Sequence, residues 1–325
     1  MRDDEFSMGR ATADDGRIRV LHITGTGRSG STLLARLLGS VPGVFAAGEV
    51  RFLWERGLAA GGRCGCRLAV RECPVWAAVI ERLGPAADPE QAAAFHDRLR
   101  VVLRLRRAGR WLRRRPLPLS AVERTVADGL LPAYRSIQDV TSAELIVDSS
   151  KLPNYAAVLD TIPQIDLYVL HLLRDPRAAA WSWMRGSASG AVEGYDEEMD
   201  RLSSAKSSIL WAVWNGLTAR RFECRPERYL RVRYEDVMTS PREAAEQIAR
   251  WVGLDPASLP FVDDHEALLV DGHVVAGNPN RMGAGSVQFT LDRRWEDAMR
   301  GRDRATVTAI TAPLMRRFGY LRKSA

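Results

Sequence analysis

The sequence predicts an α/β fold in which helices flank a parallel β-sheet, with a helical insertion. Three observations carry this. Short apolar, β-branched runs at 18–24, 145–148 and 167–173 read as buried strands, and 229–233 reads as a further strand. The stretches between them are long enough for crossover helices, which join strands in parallel. The first run enters a glycine turn, Gly25-Thr26-Gly27-Arg28-Ser29-Gly30-Ser31-Thr32, and an apolar helical pattern begins at Leu33. A chain of 325 residues buries a full core, so one domain is expected over 17–325, behind a polar, disordered tail at 1–16.

Strand, glycine turn and helix start make a P-loop-like phosphate cradle. Free N–H groups and the positive end of the helix dipole converge there, and glycines let the backbone approach an anion. Gly25 and Gly30 have the spacing of a nucleotide kinase loop, but Ser31 stands where that loop requires lysine, and the charge lies inside the turn at Arg28. Gly25, Gly27 and Gly30 are also spaced as in an NAD-binding oxidoreductase, with Glu49 about 20 residues on as the ribose acid. Against that, Arg28 and Ser29 are polar where such a turn packs closely, and Ala46-Ala47-Gly48 makes no clear second strand. A third reading comes from resemblance. Gly27–Leu34 resembles the 5′-phosphosulfate loop of the bacterial and Golgi-type sulfotransferases that use 3′-phosphoadenosine-5′-phosphosulfate (PAPS), among them tyrosylprotein and carbohydrate sulfotransferases. PAPS has no γ-phosphate, so an arginine fork and hydroxyls can replace lysine and metal. The resemblance implies in-line sulfuryl transfer to a hydroxyl of a glycan, lipid-linked or small-molecule acceptor, with no metal required. It also implies that Gly27, Arg28, Ser29, Gly30, Ser31 and Thr32 hold the 5′-phosphosulfate.

After the first helix comes Ala47-Gly48-Glu49-Val50-Arg51. Similarity to the tyrosylprotein enzymes implies that Glu49 is the base and that Arg51 lies on the acceptor side. Read alone, Glu49 caps a helix or pairs with Arg51. Cys64, Cys66 and Cys73 cluster without a paired C-x-x-C signature, which leaves metal, disulfide and inert thiols open, and no metal ligand is assigned. The segment 86–140 reads as the helical insertion. It holds Arg104–Arg115, with seven arginines in twelve residues, in a chain of net charge +7. A solvated face, an anionic acceptor or an anionic membrane surface all suit this run. A non-catalytic, membrane-binding adaptor is therefore a further alternative. The arginines come without a recognition motif, so nucleic acid is not an expected partner.

Leu145–Lys151 reads LIVDSSK and places Lys151 at a strand's C-terminal end, where α/β folds bind ligands. The resemblance implies that Lys151 touches the bridging oxygen or sulfuryl group and shares charge stabilisation with Arg28. Arg174 ends the 167–173 run, Pro176 suits a helix first turn, and Ser182 comes eight residues after Arg174. In the family such a pair binds the 3′-phosphate. By itself Arg174-Asp175 reads as a surface ion pair worth about 0–1 kcal/mol. Tyr234, at the end of the run YLRVRY, matches a strand-end tyrosine that faces the adenine. Arg281, in the glycine-rich loop 277–285, resembles a late loop over the 3′-phosphate, although Met282 stands where cytosolic members have lysine. His22 and His171 lie inside apolar runs and read as core. No apolar run of 18 residues and no apolar signal core occur, so a soluble, cytoplasmic protein is expected.

Overall fold

The computed structural model describes residues 16–111, 118–186, 201–278 and 281–321, so the tail expected at 1–16 lies outside them but for Gly16. Strands β1 (Ile18–Gly25), β2 (Val44–Gly48), β3 (Leu145–Lys151), β4 (Ile165–Leu173) and β5 (Tyr229–Arg233) form one sheet in the order β2-β3-β1-β4-β5. Every pairing in it is parallel. Helices cover both faces, which is why β1 and β4 read as nearly continuous apolar runs. On one face Leu21, Ile23, Val147 and Leu170 pack with Leu34 and Leu38 of α1 (Ser31–Gly39). On the other, Val20, Ile146 and Val169 belong to a core with Tyr134, Ile137 and Tyr155.

The edge strand β2 corrects the sequence reading, because Ala46-Ala47-Gly48 is a strand. Alanine has little β-propensity, and register with β3 holds it extended, Val44 opposite Leu145 and Ala46 opposite Val147. Small residues are needed there. A Cβ on Gly39 of α1 would come within 2.5 Å of the Ala46 Cβ.

Between β2 and β3 most of the described chain is helical, apart from a loop over 60–73 that carries an isolated bridge between Arg63 and Ala69. The helical parts include a 3₁₀ turn (Val50–Phe52), a π-helical turn (Leu53–Ala59), α2 (Pro74–Leu83), α3 (Pro89–Leu103), α4 (Ala108–Trp111) and α5 (Ala121–Thr141). The helical excursion therefore starts ahead of residue 86. Part of the basic run is an internal clamp. Arg110 Nε lies 2.8 Å and Arg107 3.9 Å from the Glu123 carboxylate, which is fully buried in the first turn of α5. Arg104 and Arg106 are exposed, and Arg113–Arg115 lie outside the described residues.

The C-terminal half adds α6 (Pro153–Leu159), α7 (Pro176–Arg185), α8 (Ser204–Phe222), α9 (Tyr234–Thr239) and α10 (Pro241–Trp251). An antiparallel pair comes next, β6 (Glu266–Leu269) with β7 (Gly285–Gln288), then α11 (Trp295–Ala298) and α12 (Gly301–Arg317). No described helix is long and apolar enough to cross a membrane.

Parallel pairing brings the C-terminal ends of all five strands to one edge. Register breaks on both sides of β3 at that edge. His22 faces Asp148 but Thr24 faces Lys151, and Ala46 faces Val147 but Gly48 faces Asp148. Such bulges re-aim side chains. Lys151 takes a left-handed backbone, φ 68°, and its carbonyl accepts from Thr24 Oγ1 at 2.8 Å.

Candidate active site

Glu49 directly follows β2, and Lys151 ends β3. Their side chains meet, with Lys151 Nζ donating to Glu49 Oε1, while Arg51 Nη2 lies 3.4 Å from Glu49 Oε2. Burial raises the Glu49 carboxyl, but Lys151, Arg51 and Arg56 together outweigh it and hold the group below its ordinary value. Arg51 and Arg56 both lie against the Phe52 ring, 3.7 Å and 4.0 Å from its centre. The cluster therefore carries more positive charge than its carboxylate neutralises. A site where negative charge develops needs that excess.

Asp148 and Ser150 build the support beneath, and the sequence reading had passed over them. Asp148 is fully buried. Its Oδ1 accepts from Ser150 N at 2.8 Å and Ser150 Oγ at 2.5 Å, and Tyr134 OH donates to its Oδ2. Ser150 Oγ in turn accepts from Arg51 N at 3.1 Å. The tripeptide Asp148-Ser149-Ser150 directly before Lys151 was the available signal.

The glycine turn lies beside this cluster. A Cβ on Gly277 would sit 3.6 Å from Thr32 Oγ1 and 3.9 Å from Glu49 Oε1. Thus the first turn of α1 and the carboxylate border the same space. Gly30 precedes α1 at φ 85°, and no side chain caps the helix. A Cβ there would come within 2.6 Å of the Tyr234 ring, and one on Gly27 would run into Trp183. Ser29 and Ser31 are buried. Arg28 adopts φ 68° and stacks on Trp183, 5.2 Å from the ring centre. Burial, then Arg174, lowers the Arg28 guanidinium from its ordinary value.

Arg174 is buried and its Nη1 donates to the Arg28 carbonyl at 2.7 Å. The surface-pair alternative fails. Asp175 instead caps α7, accepting from Arg177 N at 2.8 Å, and pairs with the Arg177 guanidinium at 2.6 Å. Ser182 is part-buried on α7, next to Trp183. Tyr234 is a correction: β5 ends at Arg233, and Tyr234 opens α9. The Arg174 guanidinium lies 4.3 Å from the centre of its ring. A cleft lined by Arg174, Arg233, Tyr234, Arg293 and Trp295 opens beside it. Arg281 is buried and donates to the Gly277 carbonyl at 2.9 Å and the Arg63 carbonyl at 3.2 Å, so it clasps two loops. His22 and His171 are fully buried, and burial pushes His171 down to about 3.

A model of the sulfotransferase family matches residues 21–258. The chain belongs to the sulfotransferase family. The match takes in the glycine turn, Glu49, Lys151, Arg174 and Tyr234. Carbohydrate sulfotransferase 3 of Homo sapiens is 32% identical over 172 residues, which is 49% of this chain and 34% of that protein. The Mus musculus protein of the same name is 28% identical over 171 residues. The chain thus spans about a third of the length of these curated relatives. The sulfotransferase domain of the Synechococcus PCC 7002 olefin synthase superposes with a TM-score of 0.53 at 21% identity. That comparison covers 95% of this chain and 97% of that one, and shows a shared fold. Trp183 and Arg56, which line this candidate site, belong to no motif legible in the sequence, whereas Gly277 opens the glycine-rich loop 277–285.

Proposed function

We propose that this sulfotransferase moves a sulfuryl group from PAPS to a hydroxyl of its acceptor. One observation carries the reading. The Glu49–Lys151 pair borders a glycine turn at which several buried side-chain polar atoms lack protein partners among the described residues. Arg28 Nε and Nη2, Ser29 Oγ and Arg174 Nε are buried without a hydrogen bond among the described residues. Buried donors of this kind are costly unless a ligand accepts from them, and phosphate and sulfate oxygens suit a guanidinium. The residues therefore fit the donor. Gly27, Arg28, Ser29, Gly30, Ser31 and Thr32 would hold the 5′ end, and Arg174 with Ser182 the 3′-phosphate. Tyr234 backs Arg174, and Arg281 fixes the loop beside Thr32.

PAPS supplies an electrophilic sulfur with a good leaving phosphate. Glu49, ionised at neutral pH, accepts the acceptor's hydroxyl proton as its oxygen bonds to sulfur. Lys151 and Arg28 stabilise the charge that passes to the leaving phosphate oxygen. Arg51 orients Glu49 through Oε2. The curated relatives are named carbohydrate sulfotransferases, which supports a glycan acceptor. Exposed Arg104 and Arg106 suit an anionic acceptor or an anionic membrane bearing it.

Thermal unfolding with 3′,5′-adenosine bisphosphate, 5′-AMP, ATP and NAD at equal concentration tests the donor. A ligand at about 100 times its dissociation constant stabilises by about 2.7 kcal/mol. A shift with the bisphosphate alone is expected. A shift with ATP or NAD instead overturns the reading.

A further inference from the structure

Outside the catalytic cluster, four side chains able to bind metal converge. Cys64 and Cys66 lie in a turn after the π-helical segment, Cys73 immediately precedes α2, and His273 comes from the segment leading to Gly277. One ligand atom from each, three Sγ and an imidazole nitrogen, lie within 4.8 Å of one another. His273 Nδ1 is 3.1 Å from Cys73 Sγ and 4.0 Å from Cys64 Sγ. Tetrahedral zinc, at about 2.3 Å to sulfur and about 2.0–2.1 Å to nitrogen, separates its ligands by roughly 3.3–3.8 Å. The two sulfur–nitrogen separations, 3.1 and 4.0 Å, bracket that range, and all four ligand atoms lie within 4.8 Å, so small side-chain adjustments close the tetrahedron.

The surrounding backbone is shaped for this convergence. A Cβ on Gly65, between the first two cysteines, would come within 2.5 Å of the Gly272 carbonyl, so glycine permits the close approach of the two segments. Gly65 N donates to Val274 O at 2.9 Å, and Trp76 Nε1 to His273 O at 2.6 Å. Arg67 turns the chain at φ 73°. Cys64 and Cys73 are fully buried, and all four cysteines are free thiols. A disulfide would use two of the clustered sulfurs and leave the third, with the imidazole, unexplained.

We propose that Cys64, Cys66, Cys73 and His273 bind one structural zinc ion. Four protein ligands close the coordination sphere, so the ion has no open position for catalysis. Three thiolates and a neutral imidazole bind it, with release of the thiol protons. The ion ties the 62–73 loop to the 272–276 segment. That segment positions Glu49, because Val275 N donates to Ala47 O at 3.0 Å and Glu49 N to Ala276 O at 3.2 Å. The proposal stands independently of sulfuryl transfer.

Elemental analysis of the purified chain tests it. One zinc per chain is expected, and Cys73→Ser or His273→Ala should lose it while Cys224→Ser keeps it. Replacement by cobalt should give the intense visible bands of a tetrahedral thiolate site. If the variants do not fold, release of zinc from the wild-type chain on thiol modification reads the same ligands. Thermal stability should fall on chelation and return with zinc alone. A metal-free chain with an intact mass two hydrogens light would mean a disulfide and would overturn the proposal. So would a metal-free chain whose thiols all react freely and whose stability ignores added zinc.

Discussion

Lys151 and Glu49 stand 102 residues apart in the chain, yet Lys151 Nζ donates directly to the Glu49 carboxylate. Glu49 follows and Lys151 ends a strand of one parallel pair, and the register shifts on both sides of β3 at that edge, by an extra residue in β2 and in β3. The proposed base is therefore set by sheet register rather than by a mobile loop.

Replacing Glu49 with glutamine keeps size and polarity but removes the proton acceptor. Turnover of Glu49→Gln should fall roughly 10²–10⁴-fold. The thermal shift with 3′,5′-adenosine bisphosphate should stay as in the wild type. Turnover near the wild-type rate would remove Glu49 as the base.

Lys151→Met separates charge from shape, since methionine meets the same backbone strain at φ 68°. In the wild type, burial raises the Glu49 carboxyl and its cationic neighbours lower it further than that. The pair's stabilisation is thus present above the ordinary carboxylate value and is lost as pH falls through the depressed one. Without Lys151, burial gains ground and the carboxyl rises. The acid limb of kcat/KM against pH should move toward neutrality, while the rate drops at every pH. Denaturant titration should show a loss of about 3 kcal/mol at neutral pH, the low end for a broken buried pair because Arg51 remains. An acid limb that does not move would show that Glu49 is not the titrating group.

Arg174→Ala removes a buried guanidinium that holds the Arg28 carbonyl. Binding of 3′,5′-adenosine bisphosphate, measured by calorimetry, should weaken roughly 10–100-fold, the range for lost charge-assisted hydrogen bonds. Circular dichroism should remain that of the folded chain. Unchanged affinity would place the 3′-phosphate elsewhere.

Gly30→Ala should be destabilising for two reasons: φ is 85°, and the new Cβ would meet the Tyr234 ring at 2.6 Å. The left-handed backbone alone costs about 1–2 kcal/mol. Pairing it with Tyr234→Ala relieves the collision and leaves the backbone cost. The double variant should regain part of the lost melting temperature relative to Gly30→Ala. No regain would mean that the ring contact does not limit this position.

Strands β1, β3 and β4 were legible because a strand buried on both faces is a largely continuous apolar run, and the edge strand β5 was legible from the short run YLRVR. The alanine-rich β2 was not, since its extended form comes from pairing with β3 and close packing on α1. Tyr234 was expected at a strand end and instead opens α9. The helix starts there because β5 loses its pairing with β4 after Arg233, and periodicity does not record where pairing ends. The basic run read as a surface, but Arg107 and Arg110 turn inward to a buried Glu123 that sequence spacing does not reveal.

By itself the sequence determined the parallel α/β architecture and the glycine turn, and through family resemblance it singled out Glu49, Lys151 and Arg174. Those signals are local: apolar periodicity, a glycine-rich turn, a charged residue at a strand end. Which of these groups meet was set by long-range packing. It paired Glu49 with Lys151, turned Arg174 from Asp175 to the Arg28 carbonyl, and brought His273 to cysteines about 200 residues away. Such contacts depend on strand register and on the packing of distant segments, and local composition does not encode either.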